Sequence, residues 1–490
     1  MKKINFYRLL GLLACMVLAL HMNAQVSLPK IFGSNMVLQR DKPLPIWGLA
    51  KAGERVTVKF GKQSKQTFAD SSGNWKVLLS PLKGSVKPTK MVISGTNTIT
   101  LDNILVGEVW LCSGQSNMEY TMRLMPKYRK PNKGVNVAEE EIKSANNPNI
   151  RIFLVEKKLS TPDVTTKGWN IARDSALMSF SAIGYFYGKE LFKELNVPIG
   201  IISSAWGGSR IEPWTPAEAY SNSTVFKEDA GKEPGKMDGM TIGHFYKSMI
   251  RPLAPYSIRG FIWYQGESNC MLNETFRYTD KMQVLIDNWR SAWFDQTLPF
   301  YYVQIAPYYY TRRKDKLTHT PATLAEFWEA QTKALNIPHT GMAVVNDLVD
   351  TLIDIHPSYK WEVAHRLALW ALAKNYGKNE IEYSGPIYKQ MKTDGDKIEL
   401  EFSHCSNGLI SKDSKPLVWF TIAGTDGKYF PAEAIIEGNK VIVSSTEVGS
   451  PSSVRFAWDE TAMPNLANKE GLPALPFRTD SPEWVYKEAR

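Results

Sequence analysis

Four short segments of this 490-residue chain carry the residue types of an acyl-transfer site. In Gly114-Gln115-Ser116-Asn117-Met118, a strand-like run ending at Cys112 hands over to a small turn that presents a serine. Parallel sheets bind ligands beyond the C-terminal ends of their strands, so a nucleophile is well placed there. The pattern is not the GxSxG elbow, because Met118 stands where the second glycine would. A second loop, Ala205 to Trp214, follows the run IGIISS, and its paired Gly207 and Gly208 let backbone N–H groups approach a ligand closely. A third, Trp263 to Asn269, sets Gln265 and Glu267 on either side of Gly266. Small donors of this kind stabilise the oxyanion that develops on an ester carbonyl. Each loop alone is more often an ordinary turn, and Ser116 alone is more often a helix cap.

A serine hydroxyl is a poor nucleophile until an imidazole accepts its proton. His356 is the candidate base, since it lies in Asp354-Ile355-His356-Pro357, a loop just ahead of a helix that Pro357 opens. The other histidines lack that setting. His365 falls within the amphipathic helix, His404 in a late β-rich stretch, and His319 and His339 in irregular segments.

The elements that must position these residues are legible in the hydrophobic patterning. Residues 1–24 combine Lys2, Lys3 and Arg8 with the apolar run LLGLLACMVLAL and read as a secretory signal peptide. Export to a periplasmic or extracellular location follows, with Cys15 as an alternative lipid-anchor position. Residues 25–104 show short alternating runs such as RVTVKF and NWKVLL, the pattern of a small β-sandwich. From 105 to 380, strand-like runs alternate with helical stretches, which argues for an α/β unit with a parallel sheet. From 381 to 490 alternation returns in KIELEF and KVIVSS, giving a second β-rich unit.

Composition narrows the function. At 43% hydrophobic and 22% charged residues the chain is globular, and no window after the leader is long and apolar enough to span a membrane. The formal charge of +10 is dispersed rather than gathered into a basic helix or zinc-finger spacing, so nucleic acid is not an expected partner. Beyond the leader only Cys112, Cys270 and Cys405 remain, too few for a disulfide framework. Neither CxxC nor HExxH occurs, so no metal and no cofactor are expected.

Taken in order, GQSNM, GGSRIEPW, WYQGESN and IHP resemble the sialate O-acetylesterase family within the SGNH hydrolases. The resemblance extends over about residues 26 to 480 and includes FSAIGYFYGKEL and LPALPFRTD. It implies a flavodoxin-like α/β domain that removes O-acetyl groups from sugars, with Ser116 as nucleophile and His356 as base. The superfamily commonly carries an aspartate three residues before the histidine, but Ile353 stands there and Asp354 lies two before. Asp354 is the first choice for the triad acid. Asp347, Asp350, Glu267, or a serine–histidine dyad held by a backbone carbonyl, are the alternatives. The oxyanion hole is assigned to the Ser116 N–H, an N–H of Gly207 or Gly208, and the Gln265 side chain. Arg210 and Glu267 are candidate substrate contacts, Arg210 for a carboxylate such as that of sialic acid or, equally, for a salt bridge to Glu212.

Three other readings stay open in the sequence. An acetyl xylan or other plant-glycan esterase would share these motifs, since the sugar is chosen by loops. A binding protein without turnover would use Trp206, Trp214, Trp263 and the Pro307-Tyr308-Tyr309-Tyr310 loop for stacking on sugars. A glycoside hydrolase would need two carboxylates across a cleft, for which Glu212 and Glu267 are available. The oligomeric state is not legible.

Overall fold

One long strand organises the protein. The run Thr98–Gly114 (β1, 17 residues) is exposed and alternating in its first half and buried on both faces from Ile104 onward. A strand covered on both faces reads as a continuous apolar run, and ILVGEVWLC is one. The computed structural model describes residues 25–123, 125, 128–132, 137–313 and 317–480. The expected leader and Cys15 lie outside them.

The first half of β1 pairs antiparallel with Ser85–Ser94 in the N-terminal β-rich layer. Its second half is the centre of the main sheet. Around it lie Ile150–Val155 (β2), Thr166–Ile171 (β3), Ile199–Ala205 (β4), Gly260–Tyr264 (β5), Phe300–Val303 (β6) and Thr340–Ala343 (β7), in the spatial order β7-β6-β5-β1-β4-β2-β3. All pairings are parallel except β2 with β3. The chain therefore builds outward on one side of β1 and then crosses to the other. At such a reversal the loops at the C-terminal strand ends part and leave a crevice. The sequence boundary expected at residue 104 falls inside β1.

Helices cover both faces, as an α/β sheet requires. Ala182–Leu195 (α1) and Lys360–Asn375 (α2) pack together on one face, where Trp110 meets Tyr187 at 5.2 Å and Tyr301. Arg277–Ala292 (α3) lies on the other, with Trp289 against Phe261 and Phe300. The C-terminal stretch forms two four-stranded antiparallel sheets around a core of its own, including Ile398, Val441, Val454 and Phe477. No helix among the described residues is long and apolar enough to cross a membrane.

The end of β1 is set by Gly114. Its φ is +138°, and a Cβ there would lie 2.1 Å from the Tyr264 carbonyl oxygen of the neighbouring strand. That carbonyl accepts the Gln115 N–H at 2.9 Å, so the chain turns within one residue of Ser116. Gly114→Ala is expected to lower stability by about 2–4 kcal/mol, through a backbone clash and a disfavoured φ. Urea denaturation measures it, and an unchanged midpoint would refute the account.

Candidate active site

Ser116 follows Gly114-Gln115 as the first residue of the short helix Ser116–Glu119, at the C-terminal end of β1. Its own N–H precedes any intrahelical acceptor and so is available to a ligand. His356 arrives from the loop before α2 and closes a separation of 240 residues, its Nε2 2.9 Å from Ser116 Oγ. The ring is also held by Tyr128, which tilts against it at 5.0 Å.

Among the four acids considered, Asp354 is the one that lies against the imidazole. Its Oδ1 accepts the His356 backbone N–H at 2.9 Å and stands 3.4 Å from Nδ1, longer than a standard hydrogen bond but suited to tightening when the ring becomes charged. Burial pushes the Asp354 carboxyl up, yet its hydrogen bonds with His356 outweigh this and hold it below the ordinary carboxylate range. The two-residue spacing works because one carboxylate oxygen serves both the backbone and the side of the ring. Asp347 is bound by both Arg366 nitrogens and by Lys412, and Asp350 by the Asn132 amide and the Tyr359 hydroxyl. Glu267 is fully buried beneath the serine turn, where it accepts a hydrogen bond from Asn117.

The oxyanion donors need correction. Gln265 was expected to offer its amide, but its Nε2 faces Gln115 Oε1 at 3.2 Å, Ser209 O at 3.2 Å and Asn269 Oδ1 at 2.7 Å. Two hydrogens facing three acceptors leave nothing for a substrate. The residue it supports, Gln115, was overlooked. Gln115 Oε1 also accepts the backbone N–H groups of Gly266 at 3.3 Å and Ser268 at 3.2 Å. Backbone amides can only donate, so this end of the side chain must be oxygen and the orientation of the amide is fixed. Its Nε2, on the residue directly before Ser116, has no hydrogen-bond acceptor among the described residues. The sequence signal was present, since this glutamine sits inside GQSN itself.

Gly207 faces Ser116, whose Cβ lies 3.4 Å from where a Gly207 Cβ would be. Its N–H is engaged by Glu119 Oε2 at 2.5 Å, and the other Glu119 oxygen takes Lys157 at 2.7 Å. A substrate oxygen reaches this donor only when Glu119 moves aside. Gly208, with φ of +74°, makes the turn that follows.

Arg210 does not open toward the serine. It is buried, with Nη2 on Glu212 at 2.5 Å and Nη1 on the Asp238 carbonyl at 2.9 Å. The salt bridge weighed in the sequence is the arrangement found, and although Nε has no hydrogen-bond partner among the described residues, the side chain is buried away from an incoming substrate. The carboxylates of Glu212, Asp238 and Glu274 lie close enough to suggest a metal site, but Lys281 Nζ stands 2.6, 2.7 and 2.5 Å from them and fills the cation's place. Glu212 and Glu267 are both fully buried, so neither flanks a cleft as a glycosidase carboxylate must. Trp214 and Trp263 belong to the core, while Trp206 is half-buried and stacks on Phe245 at 4.7 Å. Cys112, Cys270 and Cys405 are free and buried, and burial pushes the Cys112 thiol up to about 12.

The model of the carbohydrate esterase, sialic acid-specific acetylesterase family matches residues 106–368. A sialate O-acetylesterase of Mus musculus is 28% identical, with 86% of this chain and 87% of that one covered. That of Homo sapiens is 27% identical, with 91% and 90% covered. A solved carbohydrate acetylesterase from Xanthomonas citri superposes with a TM-score of 0.82 at 34% identity, covering 93% of this chain and all of that one. The family match takes in every loop that meets at Ser116, and the chain belongs to the carbohydrate esterase family of sialic acid-specific acetylesterases.

Proposed function

We propose that this protein is an exported ester hydrolase that removes O-acetyl groups from sugars through an acetyl-serine intermediate, with O-acetylated sialic acid as its preferred substrate. The observation that carries the reading is the 2.9 Å contact between Ser116 Oγ and His356 Nε2 at the crevice of the parallel sheet. Ser116 Oγ attacks the acetyl carbonyl while His356 Nε2 takes its proton, and Asp354 stabilises the imidazolium. The negative charge forming on the carbonyl oxygen is met by Gln115 Nε2 and the Ser116 N–H, joined by the Gly207 N–H once Glu119 yields. Collapse breaks the bond to the sugar oxygen, which leaves with the proton from His356. Water then attacks acetyl-Ser116 with His356 as base and releases acetate.

The preference for an acidic sugar is supported by the pocket beside His356, whose lining includes Arg129, Lys130 and Asn132. Both cations are exposed and only loosely paired, Arg129 3.9 Å from Asp354 and Lys130 3.2 Å from Glu139, so a substrate carboxylate can compete for them at the rim. The leader at residues 1–24 supports export. The direct test is acetate release from O-acetylated sialic acid and from acetylated xylan, by wild type and Ser116→Ala. Release from sialic acid that is lost in the variant is expected. Release from xylan alone would transfer the activity to plant glycans, and an active variant would refute the serine mechanism.

Two substitutions check the remaining roles. Gln115→Ala is expected to lower turnover roughly 100- to 1000-fold with little change in Michaelis constant, because its amide contacts the charge of the transition state. Gln265→Ala, which only loosens Gln115, should cost less. The reverse ranking would return the donor role to Gln265. Asp354→Asn is expected to lose roughly 1000-fold or more in turnover with the fold intact, whereas Asp350→Asn stays near wild type. Steady-state kinetics with p-nitrophenyl acetate ranks the pair, and equal activity of Asp354→Asn and wild type would remove Asp354 from the triad.

A further inference from the structure

Three buried polar side chains lie directly behind the serine–histidine pair, and the reaction just described uses none of them. Lys360, 1% exposed in the first turn of α2, directs Nζ at Asn117 Oδ1, 2.5 Å away. The same Asn117 amide donates through Nδ2 to Glu267 Oε1 at 2.5 Å and to the Ile355 carbonyl at 3.0 Å. The Ile355 carbonyl and the His356 N–H belong to one peptide unit, and Asp354 holds the N–H end at 2.9 Å. Asn117 and Asp354 thus grip both ends of the peptide from which the catalytic imidazole hangs.

A second route leads from the same lysine to the same ring. Lys360 Nζ lies 4.8 Å from the Tyr120 ring centre and 5.4 Å from that of Tyr264. Tyr120 stacks on Tyr128 at 4.2 Å, and Tyr128 leans on His356 at 5.0 Å. Burial pulls the Lys360 ammonium down to about 7 against the opposing charges of Glu267 and Asp354, and burial pushes the Glu267 carboxyl up. Lys360 and Glu267 are joined only through Asn117, and apolar residues of similar volume often hold a core as well as buried charges do, so stability alone gives no reason for them.

We infer that Lys360 is a positioning residue for the catalytic base: it fixes the Asn117 amide, and through it the Ile355–His356 peptide, so that Nε2 stays within reach of Ser116 Oγ. This rests on the serine–histidine reading above, and the test separates the two. A p-nitrophenyl alkylphosphonate labels an activated serine: the bond from Ser116 Oγ to phosphorus forms, the bond to the aryl oxygen breaks, His356 takes the serine proton and p-nitrophenolate leaves. The end point of labelling counts intact sites, and the rate reports how well the base is held. Lys360→Met is expected to reach full labelling but about 10- to 100-fold more slowly, the scale of a small misplacement of a catalytic group.

The single variant leaves Glu267 buried without its counter-charge, so stability must be followed as well. Glu267→Gln combined with Lys360→Met removes both charges and is expected to melt above the single variant while remaining slow. The double variant carries the same reading if the single one does not fold. Full labelling at the wild-type rate in either variant overturns the inference, because the lysine's role is then structural alone. Absence of labelling in wild type refutes the serine mechanism on which the inference stands.

Discussion

The approach of β1 to β5 at Gly114 and Tyr264 is the constraint on which the site depends. Without a side chain at residue 114 the two strands close to hydrogen-bonding distance beyond their last pairing, and Gln115 is handed directly to the loop after β5. That loop meets the Gln115 side chain with two backbone N–H groups and the Gln265 amide. The turn that carries Ser116 is therefore anchored on the last carbonyl of a neighbouring strand, and the Gln115 amide on the loop directly after it. Rigid elements aim catalytic groups more precisely than loops do.

Charge is handled in two ways around this centre. The acids and bases that keep the architecture, such as Glu212 with Arg210 and Lys281, or Asp347 with Arg366 and Lys412, are paired at short range and sealed from the crevice. Those nearer the serine are less completely matched. Glu267 Oε2 has no hydrogen-bond partner among the described residues. An incompletely satisfied carboxylate in low dielectric is costly, and such imbalance collects where a site needs a particular field.

Much of this was legible in the sequence, and the misses share a cause. Ser116 and His356 stand out because each lies beside a recognisable element boundary, one just after a strand end and the other just before a helix start, where local patterning is informative. The α/β sheet was legible because strands covered on both faces read as continuous apolar runs. Gln115 and Gln265 carry the same amide in equivalent turns, and only the tertiary meeting with Gly266 and Ser268 decides which one keeps its hydrogens free. Arg210 could not be assigned because Lys281, which shares its acids, lies on α3 as one more polar residue of an amphipathic helix. The unit boundary expected at residue 104 was placed by a change of texture, whereas β1 carries that change within a single strand.

The span of β1 also bears on how the protein comes to be made. Its first half can pair at once with Ser85–Ser94, which precedes it in the chain. Leu105–Gly107 likewise meets the earlier Val37–Gln39, but Glu108–Gly114 finds its flanking strands only when Ile199–Ala205 and Gly260–Tyr264 have been synthesised. Until then Val109–Cys112 is an apolar run without its flanking strands, the kind of segment that aggregates or binds chaperones. Ser116 is among the early residues of the site to emerge, yet its contact with His356 forms only 240 residues later, so on the proposed mechanism the growing chain passes through a long stage in which its serine is present but chemically inert.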